Sequence, residues 1–411
     1  MKVLVTGANF TNKGAQSMLF VTVNEIVNRF PSAEVFFQTR EDINISDFNF
    51  KLFQMSDEAW GMSVGRLYGI GYNFYYLVKS VIKKILKRES VYQKDKHLIK
   101  QIKNFDVVID ISGFVLGDKW DDFHNNSFLN KIDVLRKYNI PVYLMPQSIG
   151  PFHYEKHMNH FRACRLRKRI AIVLQYPKII FARERMGIDS LSSLGIKDNV
   201  VLSTDLVLQN KRIELKNIFN QIPHINLPVI SSSHNIAVIP NKQCLINGSG
   251  NDVIALYCTC IKYLKRKKQN VYIIKHSKDD DDLCNQLYEK CKDFNVIYIN
   301  RDLSCIEYDS FIRNFDFVVG SRYHSLVHAL KNNIPCIALG WAVKYKELLV
   351  AVGQGQYNID VSSNCLSQDN VIHILEDMYV HIEANISIIN DRLTEIRKHN
   401  CFDLLDMLDF Y

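Results

Sequence analysis

The chain has 411 residues, 47% hydrophobic and 23% charged, a globular composition too long for one ordinary core and suited to two domains. No run approaches the roughly 20 apolar residues of a spanning helix, and Met1-Lys2 passes straight into strand-like Val3–Thr6 with no signal-peptide apolar region, so the expected location is cytoplasmic. A net charge of +8 favours anionic partners, the lack of a nucleic-acid-binding motif argues against nucleic acid, and 10 scattered cysteines argue against a metal knuckle or disulfide framework.

Short β-branched or aromatic runs alternate with helix-like stretches along the chain, the pattern of mostly parallel sheets covered by helices on both faces. The first predicted strand, Val3–Thr6, turns through Gly7 into a helix carrying Met18, Leu19, Val23, Ile26 and Val27. Asn9, Asn12, Gly14 and Gln16 crowd that turn with small or polar groups, leaving backbone N–H groups for an anion or sugar hydroxyls. The spacing is neither G-x-G-x-x-G nor a P-loop.

After a second predicted strand, Glu34–Gln38, residues 44–104 read as an insertion, aromatic at Tyr68 to Tyr76 and then basic. Leu77, Val81, Ile82, Ile85 and Leu86 share one helical stripe, with Lys79, Lys83, Lys84, Lys87 and Arg88 largely off it. This fits either a solvated helix on the core or a surface helix beside anionic lipid. A second basic run, Phe161–Arg169, points the same way.

The next predicted strands are Asp106–Ile111, Pro141–Pro146, Lys178–Ala182 and Val200–Ser203. Polar groups stand at their ends: Asp110, Gln147, Ser148 and Asp205, each either the wall of a site or a helix cap, and Arg183, either a site cation or an ordinary surface ion pair. Arg183 could clamp a carboxylate through two nitrogens, with Glu184 or Arg185 turned outward. His153, His157 and His160 recur at helical spacing without the carboxylate partner that a metal face needs.

Residues 209–233, with Pro223, Pro228 and Ser231–Ser233, lack periodicity and read as the linker between a domain of residues 1–208 and another of residues 234–365. The second domain's predicted strands are Asn235–Ile239, Asn270–Lys275, Asn295–Ile299, Asp316–Gly320 and Pro335–Leu339, and His276 ends one of them. The acidic run Asp279–Asp282 reads as a solvated helix start. The strongest local signal is Gly320–Leu330, where Ser321, Arg322 and His324 pass from an apolar strand into a helix. There helix dipole, guanidinium and imidazole can converge on a phosphate. Residues 366–411 form a helical tail, with one stripe of Val371, Ile374, Leu375 and Met378 and another of Ile382, Ile386, Ile389 and Leu393. The fold class is α/β: two doubly wound Rossmann-like domains facing a central cleft, with the tail packing back across the first.

Six segments taken together, GANFTNKGAQSML, DISGF, PQSIGPF, FARER, STDLVL and GSRYHSLVHALKNNIPCIALGW with Lys344 just beyond, resemble the polysaccharide pyruvyl transferase family over roughly residues 1–355. The resemblance implies a GT-B-like fold, phosphoenolpyruvate as donor, and ketal formation on a hexose of a surface polysaccharide or its precursor, without a metal or nucleotide cofactor. It makes Arg183, Arg322 and His324 the donor and catalytic set, with Ser321, Lys344 and His276 around them. Asn9, Asn12, Gly14, Gln16, Gln147 and Ser148 would line the acceptor cleft, His324 would act as general acid or phosphate stabiliser, and Asp110 or Asp205 as base. One departure is that Gly113 is followed by Phe114 where many relatives carry paired glycines. A nucleotide-sugar glycosyltransferase and a non-catalytic saccharide-binding protein are the competing readings. The basic insertion suggests a lipid-linked acceptor and peripheral contact with the anionic inner membrane face.

Overall fold

The computed structural model describes residues 1–39, 41, 43–55, 59–60, 82, 97–248, 250–363 and 366–407. The aromatic stretch Tyr68 to Tyr76 and, apart from Ile82, the basic helix read at Leu77 to Arg88 lie outside the described residues.

Parallel pairing organises both halves. The first sheet contains β1 (Lys2–Thr6), β2 (Glu34–Gln38), β3 (Lys51–Phe53), β4 (Val107–Asp110), β5 (Phe114–Leu116), β6 (Val142–Ile149), β7 (Ile179–Ala182) and β8 (Val200–Leu202). Their order is β3-β2-β1-β4-β6-β7-β8, with β5 paired to β6. The second contains β9 (Asn235–Ile239), β10 (Asn270–Ile274), β11 (Ile297–Ile299), β12 (Phe317–Gly320), β13 (Cys336–Gly340) and β14 (Asn358–Asp360), ordered β11-β10-β9-β12-β13-β14. The central strands β4, β9 and β12 are buried at every position, as expected of parallel strands covered on both faces. Strand order reverses between β1 and β4 and again between β9 and β12. Connections leaving those strands part to opposite faces and open a crevice at the carboxyl ends.

Helix α1 (Lys13–Arg29) is stopped at its start by Asn12, whose side chain accepts from the amides of Gly14 and Ala15. It is buried almost all round, Ser17, Met18, Leu19, Phe20 and Val21 included, because it lies between the first sheet and the second domain. On the other face of the first sheet, α2 (Asp122–Lys137) and α3 (His160–Val173) cover a second apolar cluster around Leu4, Val108 and Leu144. In the second domain, α4 (Cys305–Phe311) packs on α1, while α5 (Tyr323–Lys331) and α6 (Val343–Ala351) follow β12 and β13.

The first part of the predicted linker completes the first domain. Short helices at Leu206–Gln209 and Leu215–Ile218 pack on α1. Polar anchors hold them: the Asn210 amide donates to Glu25 over 2.7 Å, the Glu214 N–H donates to Asn24 Oδ1 over 2.9 Å, and Asn217 donates to the same oxygen over 3.1 Å. Such anchors leave no apolar period to read.

The tail forms α7 (Gln368–Val380) and α8 (Ile382–Lys398). Val371, Leu375 and Met378 turn inward as α7 packs on helix Gly250–Arg266, and a terminal turn then returns to the first domain. There the Cys401 N–H donates to Gln209 over 2.8 Å and Arg29 donates to Asp403 over 2.8 Å. Among the described residues no helix is long and apolar enough to cross a membrane.

Candidate functional site

The two domains meet where α1 runs beside α5. Gly14 stands against the His324 ring so closely that a β-carbon there would lie 2.1 Å from Nδ1. One turn further along both helices, Ser17 Oγ lies 2.9 Å from His328 Nε2, and His328 Nδ1 lies 2.8 Å from Asp309 of α4. The order resembles a nucleophile, base and carboxylate, but Ser17 is only 1% exposed and donates to the Lys13 carbonyl over 2.8 Å. It fastens the domains instead of attacking a substrate. Lys13 adds a second fastening, donating to the His276 carbonyl over 2.7 Å and pairing with Asp302 at 2.6 Å. The seam therefore leaves no room for a side chain at position 14. Gly14→Ala is expected to displace His324 or part the helices, lowering catalytic turnover about a hundredfold, while Lys13→Met leaves the His324 ring in place; steady-state rates of both variants check this.

Arg183 is the hub of the first domain's contribution. Its Nη1 donates to Asp205 over 2.9 Å, Nη2 to Ser148 over 2.7 Å and Nε to Glu184 over 3.2 Å. Ser148 in turn donates to Glu184 over 2.7 Å, and the guanidinium lies 4.4 Å from the centre of the Tyr323 ring across the domain seam. Burial opposes the charge of Arg183, and Tyr323, Glu184 and Asp205 together more than restore it, raising its pKa. The expectation of Arg183 as an open carboxylate clamp is thereby corrected: its side chain is 5% exposed and committed on three sides. Arg185 is the neighbour that turns outward, whereas Glu184 is buried.

The second domain supplies the open positive charge. Arg322 grips the fully buried Asp280 through Nε and Nη2, both at 2.7 Å. Its Nη1 edge makes no hydrogen bond to the described residues, and α5 opens at Tyr323 without a side-chain cap. Asp280 is thus the anchor of Arg322 and not part of a solvated acidic run. Lys344, at the start of α6, lies 5.3 Å from the centre of the Tyr323 ring, and among the described residues no carboxylate lies within ion-pair distance of it. Burial and the nearby Arg183 push its pKa down to about 8, with Glu184 opposing. Burial likewise holds His324 at about 4, against the pull of Asp205, whose carboxylate lies 3.8 Å from Nε2. His324 Nε2 is buried without a hydrogen-bond partner, and so is Nε2 of His276. Burial first, then Lys13 and Arg322, keeps the His276 ring neutral well below the usual imidazole range.

Several expected residues turn out to be scaffold. Asp110 accepts from Thr6 over 2.7 Å and from the Lys131 ammonium of α2, which leaves the predicted base engaged within its own domain. Ser321 shares a hydrogen bond with Tyr257 through its hydroxyl, and its carbonyl accepts from Tyr345 over 2.9 Å and Asn241 over 3.0 Å, so it shapes the turn before Arg322. Asn12 is a helix cap, and Asn9 accepts from the Asn12 N–H over 2.8 Å. Gln16 is half-buried on the same helix start. Ser148 belongs to the Arg183 network. Gln147 differs: both atoms of its amide are buried and without a partner. Phe114 pairs with Trp120 at 5.8 Å, beside Gly113 in the left-handed region at φ +70°. Tyr323, Ser17 and His328 had no role in the sequence reading, although Tyr323 adjoins residues it singled out, while Glu184 and Asp280 were read as turned outward or solvated and are buried. His153, His157 and His160 are exposed, and among the described residues no cluster of three metal-ligating side chains occurs.

Comparison with known proteins places this geometry. The family model for polysaccharide pyruvyl transferase matches residues 12–342. No curated protein sequence matches the chain significantly. The fold is similar to that of UDP-GlcNAc 2-epimerase from Neisseria meningitidis, solved bound to UDP-GlcNAc, with a TM-score of 0.55 at 12% identity over 99% of this chain and 100% of that one. Another UDP-N-acetylglucosamine 2-epimerase gives 0.53 at 11% identity over 99% and 95% of the two chains, and the glycotransferase of kitacinnamycin gives 0.50 at 11% over 99% and 98%. These neighbours establish a GT-B fold of two Rossmann-like domains.

Proposed function

The chain belongs to the polysaccharide pyruvyl transferase family, and on that premise we propose that it moves a pyruvyl group from phosphoenolpyruvate onto two hydroxyls of a hexose in a surface polysaccharide or its precursor, releasing phosphate and leaving a ketal. The observation that carries this reading is the charge around Tyr323. Arg183 covers the ring with its charge already balanced and Arg322 is paired with Asp280 through one edge, its Nη1 left to donate, whereas Lys344 has no carboxylate at ion-pair distance among the described residues. A compact donor with a carboxylate and a phosphate supplies that charge.

The chemistry balances with one acid and one base. Protonation of the donor C3 by the acid gives C2 oxocarbenium character, a sugar hydroxyl adds at C2 and gives its proton to the base, phosphate leaves with the C2–O electron pair, and the second hydroxyl closes the ketal as its proton passes to the departing phosphate. His324 is the acid in this scheme. It is neutral in the free site, and an arriving phosphate dianion raises its affinity for a proton, with Asp205 3.8 Å away to support the imidazolium. In this reading the base is Asp205, which pairs with Arg183 and lies beside His324, in preference to Asp110, which Lys131 and Thr6 hold. Gln147 offers the acceptor an amide with both ends unsatisfied. The reaction needs no metal or nucleotide cofactor, and a cytoplasmic enzyme would act on a lipid-linked acceptor.

The test is phosphate release from phosphoenolpyruvate with a panel of hexosides. Sugar-dependent release with a matching gain in acceptor mass is the expected outcome. The likeness to epimerases and glycosyltransferases of nucleotide sugars supports one alternative, glycosyl transfer in the same cleft. No release with any sugar, together with saturable binding of a nucleotide sugar, would move the assignment there.

A further inference from the structure

The first domain carries a surface that the proposed chemistry does not use. Helix α3 follows β6, so its first turn stands at the carboxyl edge of the sheet, the edge that faces the cleft. Its inner face buries Ala163, Leu166, Ile170 and Val173. Its outer face presents Phe161, 76% exposed, then Arg165, Lys168 and Ile172, the last 54% exposed. At the pitch of an α-helix these four fall within a wedge of about 60°, with the apolar pair roughly 16 Å apart and the two cations between them. Phe123, exposed in the first turn of the neighbouring α2, adds a third ring at the same edge.

We propose that this face of α3 docks on an anionic lipid bilayer, its first turn bringing the carboxyl edge of the first sheet beside the surface where a lipid-linked saccharide would be presented. Rings and aliphatic chains at both ends of a cationic stripe suit the boundary between headgroups and acyl chains, and the long basic side chains reach up to phosphate. Charge selects this occupant. Arg162, Arg165 and Lys168 form no ion pair with the described residues, and the carboxylate just before the helix, Glu155, is taken by Arg167. A second copy meeting the first through the same stripe would oppose like charges, which disfavours a symmetric dimer on this face.

The docking surface does not depend on the donor, so its test is separate from phosphate release. Intact protein is sedimented with vesicles of phosphatidylcholine alone and of phosphatidylcholine with one quarter phosphatidylglycerol, beside the double variants Phe161→Ser/Ile172→Ser and Arg165→Glu/Lys168→Glu. All four positions are exposed, and circular dichroism checks that each variant folds. The expected result is binding to the anionic vesicles only, reduced at least fivefold by either pair of substitutions. Equal binding to both vesicle types, or undiminished binding by both double variants, would overturn the proposal. So would sedimentation equilibrium showing a dimer that Phe161→Ser/Ile172→Ser dissociates, because the face would then belong to a second copy.

Discussion

His324→Ala is expected to lower sugar-dependent phosphate release about a thousandfold, and Arg322→Ala by a similar factor expressed mostly in KM for phosphoenolpyruvate. The two differ because His324 has a proton to move, whereas Arg322 has a charge to hold in place. His324→Gln keeps a hydrogen-bonding group and loses the titration, so it should fall with His324→Ala and not be rescued. The pH profiles separate them further. The acid must be protonated, so activity falls as pH rises through its pKa. With His324 at about 4 in the free site, kcat/KM should decline from a lower pH than kcat, which reports the donor-bound enzyme in which phosphate has raised the imidazole. Rates from pH 5 to 9 check this: Arg322→Ala keeps both limbs, and His324→Ala loses them. A limb unchanged in His324→Ala would place the acid elsewhere. The same depressed imidazole has a stability consequence. Between the ordinary value of about 6.5 and the folded value the unfolded chain binds more protons, so stability falls as pH drops through that window. His276 acts in the same direction.

Much of this was legible in the sequence because parallel sheets write their centres plainly. The runs at Val3, Val107, Asn235 and Phe317 are continuous and apolar, and each became a central strand. The strands Lys51–Phe53, Phe114–Leu116 and Asn358–Asp360 went unread, whereas the equally short Val200–Leu202 and Ile297–Ile299 were found from their place in the alternation of strand and helix. The site behaved alike. Arg322 and His324 were readable from the switch of strand to helix at Gly320, which is local. The partners that decide what each does are 42 residues away for Asp280 with Arg322 and in the other domain for Asp205 with His324, and no spacing announces them. Asp110 and Arg183 show the same limit. Both end apolar strands, and only the fold reveals that Lys131 and Thr6 saturate one while Glu184, Asp205 and Ser148 enclose the other.

Arg183→Ala is expected to cost about 3–5 kcal/mol of stability, enough to shift a urea midpoint by more than 1 M. Removing the guanidinium strips Asp205 and Glu184 of their shared counter-charge while both carboxylates stay buried, Asp205 at 1% and Glu184 at 2% exposure. An ionised group left unpaired in that setting is more costly than the pair was stabilising. The same change uncovers the Tyr323 ring and frees Ser148, so the turn carrying His324 should loosen as well. Arg183→Lys keeps the charge but cannot reach three acceptors from one plane, and should recover part of the stability. Neutralising the carboxylates together with the cation, as in Arg183→Met with Glu184→Gln and Asp205→Asn, should restore most of the midpoint while turnover stays low, because the support for a protonated His324 has gone with Asp205. A residue that merely clamped the donor would behave in the opposite way, with Arg183→Ala raising KM and leaving the midpoint in place. The position of Arg183 between Asp205 and Tyr323 makes the stability loss the expected result, and with it the view that the first domain positions the chemistry whose open charge the second domain supplies.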